Sequence, residues 1–418
     1  MSATDTRAEE GLGATPLHRN DLPMVCPEGI PGDNFLQDVR AILASHQLTT
    51  GARVREFEET AAAYLGVPHC VAVSSCTAGL ILTLRALDLC GEVIVPSFTF
   101  HVTAHSILWN RLKPVFADCD EHTFCIDPDA VKQKLTAATA AILAVHLFGC
   151  PADVSTLERI CGNHGIPLIC DAAHAFGSKV GARHVGTFGA AEIFSFSPTK
   201  LLVAGEGGMV ATQDAALAKR LRGARNYGDR GDANPEVLGM NARMSEFHAA
   251  LALSGFSGLD ARIDRRNEIR RLYVRRLKAV PGITFQQIPK GYRSSWKDMS
   301  ILVDESAFGT SRNAVQRFLA DQNIETRRYF WPAVHQQKLY REIWDGQPLP
   351  VTERVSNRVL SLPIYSSLRD EDVNRVCDAV LQAFELAHCP PRTRGDRRNT
   401  ANLTGDFRSL PSPTQGRL

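Results

Sequence analysis

The sequence lacks the paired cysteines that mark a zinc ribbon or a redox couple. Its 11 cysteines are scattered along the chain, and none forms a C-x-x-C pair. Several lie inside apolar runs, as Cys170 does at the end of the run that begins at Ile166. We therefore expect reduced, buried thiols in the cytoplasm, and no metal site is predicted.

Long apolar runs and a large net charge are also missing. No run is long enough to cross a bilayer, and residues 1–20 are polar, without the apolar core of a signal peptide. The formal net charge is only +2, which gives no electrostatic argument for nucleic acid or membrane as a partner. We expect a cytoplasmic protein that binds neither.

At 418 residues the chain is too long for one ordinary core, so two domains are predicted. In residues 31–258, short strands that are apolar throughout alternate with helices. This alternation predicts an α/β fold with a mostly parallel sheet covered on both faces. Residues 259–389 open with an arginine-rich helix and predict a smaller α+β domain. The arginines of this helix alternate with apolar residues at helical spacing, so they fit a solvated face. Residues 1–30 and 390–418 are expected to be a flexible N-terminal segment and a disordered tail.

Four strand ends of the predicted sheet carry groups suited to a single ligand. A turn of small residues at 75–78 precedes a helix and offers free N–H groups to an anion. Phe100 offers an aromatic face, Asp171 a carboxylate, and Lys200 an amine. Each of these alone is more often structural. Because ligands bind at the carboxyl ends of parallel strands, their joint occurrence predicts a pyridoxal 5'-phosphate (PLP) site.

The chemistry of PLP assigns a role to each of these residues. Desolvation favours the neutral amine of Lys200, which can form a Schiff base and then move a proton as base and acid. Asp171 would pair with the pyridinium nitrogen and keep the ring an electron acceptor. Phe100 would stack on the ring. Groups at Thr77, Ala78 and Ser195 would bind the phosphate.

Ten segments of the chain, spread from residue 95 to residue 365, resemble those of one known family. They are VPSFTF (95–100), KPVF (113–116), VHLFG (145–149), DAAHA (171–175), SPTK (197–200), GEGG (205–208), GMNARMSE (239–246), RRY (327–329), PAVH (332–335) and LSLPIY (360–365). The chain is similar here to the DegT-type sugar aminotransferases, which are fold-type I PLP enzymes acting on nucleotide-linked keto-sugars. The resemblance implies the same fold, cofactor and homodimer.

The resemblance also implies roles that the residues alone do not. His174 would lie beside the PLP ring, and Asn241 would reach the cofactor phosphate of the partner subunit, so that the dimer shares its active sites. Arg243 and His335 would bind the carboxylate of the amino donor or the phosphates of the sugar substrate. Two positions depart from the family, which often has glycine at Cys76 and histidine at Ser197. The family branch that performs dehydration has histidine in place of the lysine, so Lys200 argues against that activity.

The resulting prediction is an aminotransferase that moves an amino group from glutamate to a nucleotide-linked keto-sugar. A dTDP-4-keto-6-deoxyhexose aminated at C4 is the expected substrate. A C3 sugar aminotransferase or a cyclitol aminotransferase is the closest alternative. From another class, a non-catalytic regulator or scaffold could retain the fold, but the intact Lys200, Asp171 and phosphate seat argue against it.

Overall fold

The computed structural model describes residues 21–29, 33–229 and 234–388. The predicted tail from residue 390 and the first 20 residues lie outside this part of the chain. The helices, in chain order, are α1 Asp33–Ser45, α2 Ala52–Leu65, α3 Cys76–Ala86, α4 Val102–Trp109, α5 Pro128–Lys134, α6 Val154–His164, α7 Ala215–Ala224, α8 Glu246–Phe256, α9 Leu259–Leu277, α10 Glu305–Phe308, α11 Arg312–Asp321, α12 Pro350–Arg358 and α13 Asp370–His388.

Thirteen strands accompany these helices in the described residues. They are β1 His69–Val73, β2 Glu92–Pro96, β3 Lys113–Ala117, β4 Thr139–Val145, β5 Leu168–Asp171, β6 Lys179–Val180, β7 Arg183–His184, β8 Ala191–Ser195, β9 Gly208–Thr212, β10 Ile283–Phe285, β11 Tyr292–Arg293, β12 Met299–Val303 and β13 Val359–Leu362.

Seven strands form the main sheet, in the order β1-β9-β8-β5-β4-β2-β3. Strand β9 alone is antiparallel to both of its neighbours, and the remaining pairs are parallel. Strand β9 and the central strand β5 are buried along their whole length, because helices cover both faces of the sheet. The predicted α/β fold with a mostly parallel sheet is confirmed. The loops that follow β1, β2, β4, β5 and β8 lie at the carboxyl edge of this sheet.

Side-chain caps fix where several helices begin. Ser75 accepts a hydrogen bond from the Ala78 N–H at the start of α3, and Asp153 and Asp214 cap α6 and α7 in the same way. The α3 cap matters for the site, because it sets the point at which the chain leaves β1 and turns into the helix.

A second sheet, β10-β12-β13, is antiparallel and packs with α9, α11 and α13. Residues of the N-terminal stretch join this part of the molecule. Leu22 and Met24 are buried, and Leu22 forms a bridge with Ile324. Residues 21–29 are therefore packed against the second half of the chain instead of preceding the fold as a flexible segment.

The two halves are not fully separate in their packing. Val334, Tyr340 and Leu349 belong to the buried cluster beneath the main sheet, although they follow the second domain's first strands in sequence. The boundary between residues 258 and 259 remains a prediction. Within the described residues, no helix combines the length and the apolar character needed to span a membrane.

Candidate active site

Lys200 lies in the loop that joins β8 to β9. Its backbone N–H donates a 3.0 Å hydrogen bond to the carbonyl of Ser197, which closes a turn and fixes the direction of the lysine. Burial lowers the pKa of Lys200 to about 8, and the positive charge of Lys297 acts in the same direction. A substantial fraction of this amine is therefore neutral, and nucleophilic, near physiological pH.

Asp171 is the last residue of β5 and is only 6% exposed. Its Oδ2 accepts a 2.7 Å hydrogen bond from Thr103 Oγ1, and its Oδ1 accepts one of 3.1 Å from the Ala173 N–H. Burial raises the pKa of Asp171, whereas these two hydrogen bonds and the charge of Lys200 lower it. The hydrogen bonds and the nearby cation stabilise an ionised carboxylate in a buried position.

His174 follows in the turn after β5 and lies in a stack of aromatic rings. Its Nδ1 accepts a 3.2 Å hydrogen bond from the Phe148 N–H. The Phe148 and Phe330 rings each lie 6.2 Å from the imidazole and almost parallel to it. Burial lowers the pKa of His174 well below its ordinary value, and the charges of Lys200 and Lys297 add to this effect. His174 is thus a neutral imidazole beside the lysine.

Phe100 lies at the exposed end of this stack of aromatic rings. Its ring is 6.0 Å from that of Phe330, and the residue is 47% exposed, which is unusual for a phenylalanine following a buried strand. An exposed aromatic face beside the stacked rings of Phe330 and His174 is suited to stacking against a flat ring.

The N-terminus of α3 lies where β1 and β8 end and β9 begins. Val73 and Ser195 both face Gly208 in register, so the N-terminus of α3 and the end of β8 meet at this residue. A side chain at Gly208 would place its Cβ 2.5 Å from the Cys76 nitrogen, so only glycine permits this approach. Thr77 lies in the first turn of α3, and the Ala78 N–H donates to the Ser75 cap.

Asn241 and Arg243 flank Ala242, whose carbonyl accepts a 2.8 Å hydrogen bond from the Ser74 N–H, next to the 75–78 turn. Asn241 is exposed and forms a backbone bridge with Asn226. Arg243 donates a 2.6 Å hydrogen bond to Asn226 Oδ1 and lies 5.0 Å above the ring of Tyr227. These residues form a surface segment that continues to Leu238, which is 71% exposed.

His335 does not have the environment expected of a substrate ligand. Its side chain is fully buried, its Nδ1 lies 2.6 Å from Ser97 Oγ, and its Nε2 lies 3.4 Å from Glu353. The rings of Phe116 and Trp344 pack around it. His335 thus holds the loop after β2 in place, and its burial argues against the predicted contact with substrate.

Two buried charges that the sequence analysis did not single out lie beside Lys200. Lys297 Nζ is 2.8 Å from Asp298 Oδ1, and both side chains are at most 5% exposed. The Lys297 N–H donates a 3.0 Å hydrogen bond to the carbonyl of Phe148, which fixes the pair against the ring stack. Two opposite charges directly before the apolar strand β12 are the sequence signal that could have identified them.

His146, Cys170 and Glu192 are buried close together, and their polar atoms lie within 4.8 Å of one another. A metal could in principle use such a set. However, His146 Nδ1 accepts a hydrogen bond from the Ala152 N–H, so its Nε2 carries the proton and donates to Glu192 Oε1 at 2.7 Å. Glu192 Oε2 accepts from the backbone N–H of Gly186 and Phe188. The nitrogen and carboxylate atoms are thus occupied by hydrogen bonds, and the group is a structural network.

Comparison with known proteins assigns this site to a family. The model of the DegT/DnrJ/EryC1/StrS aminotransferase family matches residues 30–381. The chain belongs to this family. It is therefore a PLP-dependent sugar aminotransferase, as the sequence resemblance predicted. The match spans both halves of the chain, so it covers every residue of the site described above.

Individual relatives agree with this assignment. The chain is 34% identical over 351 residues to the UDP-N-acetyl-3-dehydro-alpha-D-glucosamine 3-aminotransferase of Acidithiobacillus ferrooxidans, covering 83% of this chain and 93% of that protein. It is 38% identical to DesI, solved in the presence of its TDP-sugar product, with a TM-score of 0.83 over 88% of this chain and 94% of DesI. The aminotransferase TlmJ from Streptoalloteichus hindustanus is 31% identical, with a TM-score of 0.81 over 87% of this chain and 99% of TlmJ. Each alignment covers nearly the whole of the relative.

The residues of the site fit PLP. The lowered pKa of Lys200 suits covalent attachment, the buried Asp171 carboxylate suits the ring nitrogen, and the glycine-bounded N-terminus of α3 suits a phosphate. When bound, PLP supplies an electron sink for the pair released at the carbon of the amino group. Lys200 Nζ can accept a proton and return it, because its pKa is near 8. His174 and Phe330 stack with their rings 6.2 Å apart beside this group.

Proposed function

We propose that this enzyme transfers an amino group from glutamate to C4 of a dTDP-linked 4-keto-6-deoxyhexose. The observation that carries the proposal is the proximity of Lys200, whose pKa is lowered by desolvation, to the buried Asp171 carboxylate, which accepts hydrogen bonds from Thr103 and Ala173. This combination suits PLP-dependent amino transfer and is unnecessary in a scaffold protein.

The relatives support a nucleotide-linked sugar as the acceptor. DesI was solved with a TDP-sugar product, and the Acidithiobacillus ferrooxidans relative is named for a UDP-linked 3-dehydro sugar. The latter name favours a second candidate, amination at C3. The carbon is set by how the sugar is oriented over the cofactor, and the two candidates use the same catalytic residues.

We further propose a homodimer in which Asn241 reaches the cofactor phosphate of the partner subunit. Support comes from residues 226–229 and 234–243, where Tyr227 is 55% and Leu238 is 71% exposed. Large exposed apolar side chains in one segment are typical of an interface. Asn241 is an exposed polar residue of this segment and is free to contact a second chain. Arg243, which is held by Asn226, would contribute a positive charge to the shared site.

A substrate panel tests the proposed reaction. The enzyme, PLP and glutamate are incubated with dTDP- and UDP-linked keto-sugars that carry the ketone at C3 or C4, and with keto-cyclitols. Products are identified by mass spectrometry and NMR. A 4-amino-dTDP-sugar is expected. A 3-amino product would support the second candidate, and aminated cyclitols with no aminated nucleotide sugars would contradict both. The cytoplasmic location remains a prediction.

A further inference from the structure

Two guanidinium groups flank the indole of Trp331. The guanidinium carbon of Arg328 lies 4.4 Å from the ring centroid, and that of Arg312 lies 5.6 Å from it. Arg312 Nη1 donates to the carbonyl of Val359, and its Nε donates to Asn313. Within the described part of the chain, no carboxylate pairs with either arginine.

This arrangement concentrates positive charge in a poorly solvated place. Burial lowers the pKa of Arg312 to about 10, and the charge of Arg328 adds to the effect. Burial also lowers the pKa of Arg328. Two like charges that have no carboxylate partner in the described residues favour the binding of an anion there.

The position of this group relative to the active site indicates which anion. Phe330, between Arg328 and Trp331 in sequence, stacks on His174 and contacts Phe100. Trp331 is 41% exposed, and its backbone N–H donates a 2.7 Å hydrogen bond to the carbonyl of Arg328, so the two residues lie in one tight turn. The segment therefore runs from the ring face of the active site to the surface.

We propose that Arg328 binds the diphosphate of the nucleotide-linked sugar, with Trp331 holding its guanidinium in orientation. The inference rests on the proposed function and extends it to a named binding residue. A guanidinium offers a planar fork of donors that matches phosphate oxygens, and stacking on the indole restricts it to one orientation. A sugar beside Phe330 and His174 would direct its diphosphate outward along this segment. Arg312 is a positioning residue that adds positive potential.

Arg327 provides a matched control. It is adjacent in sequence and carries the same charge, but its side chain is 57% exposed and is paired with Glu325. Replacing Arg327 with glutamine removes one unit of positive charge from the same segment without affecting the Trp331 stack. A general electrostatic effect would weaken binding in both variants, whereas a direct contact would weaken it only in Arg328→Gln.

The experiment titrates the PLP-loaded enzyme with dTDP, UDP and thymidine by calorimetry, so that the cofactor's own phosphate seat is already filled. We expect Arg328→Gln to weaken dTDP binding by about tenfold or more, and Arg327→Gln to leave it unchanged. Arg328→Lys, which keeps the charge but not the fork, should fall between them. Thermal unfolding of each variant shows that the fold is retained.

Several results would overturn the inference. These are dTDP binding that is equal in wild type and Arg328→Gln, no binding of either nucleotide to wild type, or equal losses of thymidine and dTDP binding. The proposed function fails separately. Arg328-dependent dTDP binding without amination of any keto-sugar nucleotide would remove the proposed reaction and leave this contact intact. Amination of a keto-sugar nucleotide with an unchanged KM in Arg328→Gln would support the proposed reaction and remove this contact.

Discussion

Thr103 Oγ1 donates a 2.7 Å hydrogen bond to Asp171 Oδ2, and both groups are buried. Thr103 lies in the first turn of α4, whereas Asp171 ends β5, so the bond joins two separate elements at the carboxyl edge of the sheet. Because burial raises the pKa of Asp171, this donor helps to keep the carboxylate charged. The charge state of Asp171 therefore depends on a residue outside its own strand.

Replacing Thr103 with valine tests this dependence. Valine has nearly the same shape but no donor, so the pKa of Asp171 should rise and the turnover number should fall by about tenfold. Steady-state kinetics with glutamate provides the measurement. Ser106→Ala is the control, because Ser106 Oγ donates to the Thr103 carbonyl and not to Asp171. An equal loss in both variants would show a packing effect instead.

Asp171→Asn should have a larger effect than Thr103→Val. The amide can still fill the space but cannot stabilise a positive charge on the ring nitrogen, so PLP should bind while the half-reaction with glutamate slows by about a thousandfold or more. Stopped-flow spectroscopy of the cofactor band measures this rate. A rate near that of wild type would remove the electron-sink role assigned to Asp171.

The pH dependence of PLP uptake by the apoenzyme should follow Lys200. The amine attacks only when neutral, so uptake should rise with pH through the pKa of about 8. Lys297→Met removes a positive charge that lowers this pKa and leaves Asp298, whose charge raises it. The loss of the Lys297 charge and the remaining charge of Asp298 both favour a higher pKa of Lys200, so the midpoint of PLP uptake should move to higher pH.

Lys297→Arg serves as the matched variant, because it retains the charge. Its midpoint should stay close to that of wild type, and uptake is followed by the absorbance of the bound cofactor. Cys76 and Asp171 also face Lys200 and are unchanged in both variants. A Lys297→Met midpoint at or below that of wild type would show that the pair does not act on Lys200.

Chelation should not affect the enzyme, because hydrogen bonds occupy His146 and Glu192. We expect the same turnover and melting temperature before and after dialysis against EDTA. Glu192→Gln should instead reduce the free energy of unfolding by about 3 kcal/mol, because an amide N–H would face the donors of Gly186 and Phe188. A metal found in stoichiometric amount by elemental analysis would contradict this account.

Mixing two inactive variants tests the shared active site. Asn241→Asp should place a negative charge near the cofactor phosphate of the partner, and Lys200→Ala should remove the amine. If each site uses Lys200 of one subunit and Asn241 of the other, refolded mixtures should recover roughly a quarter of wild-type activity. No recovery in mixtures shown to contain mixed dimers would mean that both residues serve one chain's site.

Much of this site could be predicted from the sequence because its parts follow apolar strands. Residues such as Asp171 and the 75–78 turn are marked by the strand or helix next to them, and parallel strands bring such ends together. Thr103 and Phe330 could not be found in this way. Their roles arise from packing between elements far apart in sequence, and a threonine in a helix or a phenylalanine in a loop has many ordinary explanations.

For His335, in contrast, the sequence analysis predicted a role that its position in the structure argues against. Its position in a segment that resembles the family suggested a ligand, but burial cannot be inferred from that segment, and the ring is enclosed by Phe116 and Trp344. Lys297 and Asp298 could have been noticed, since a charged pair rarely precedes a buried strand. Their proximity to Lys200 depends on the packing of the second sheet, which the local pattern does not specify.

The central claim is that Lys200, and not the second buried lysine, carries the cofactor. The most direct test is to reduce the PLP-loaded enzyme with borohydride, digest it, and locate the phosphopyridoxyl group by mass spectrometry. The account predicts that the label lies on Lys200 and that Lys200→Ala remains unlabelled. A label on Lys297 in the wild-type enzyme would contradict it.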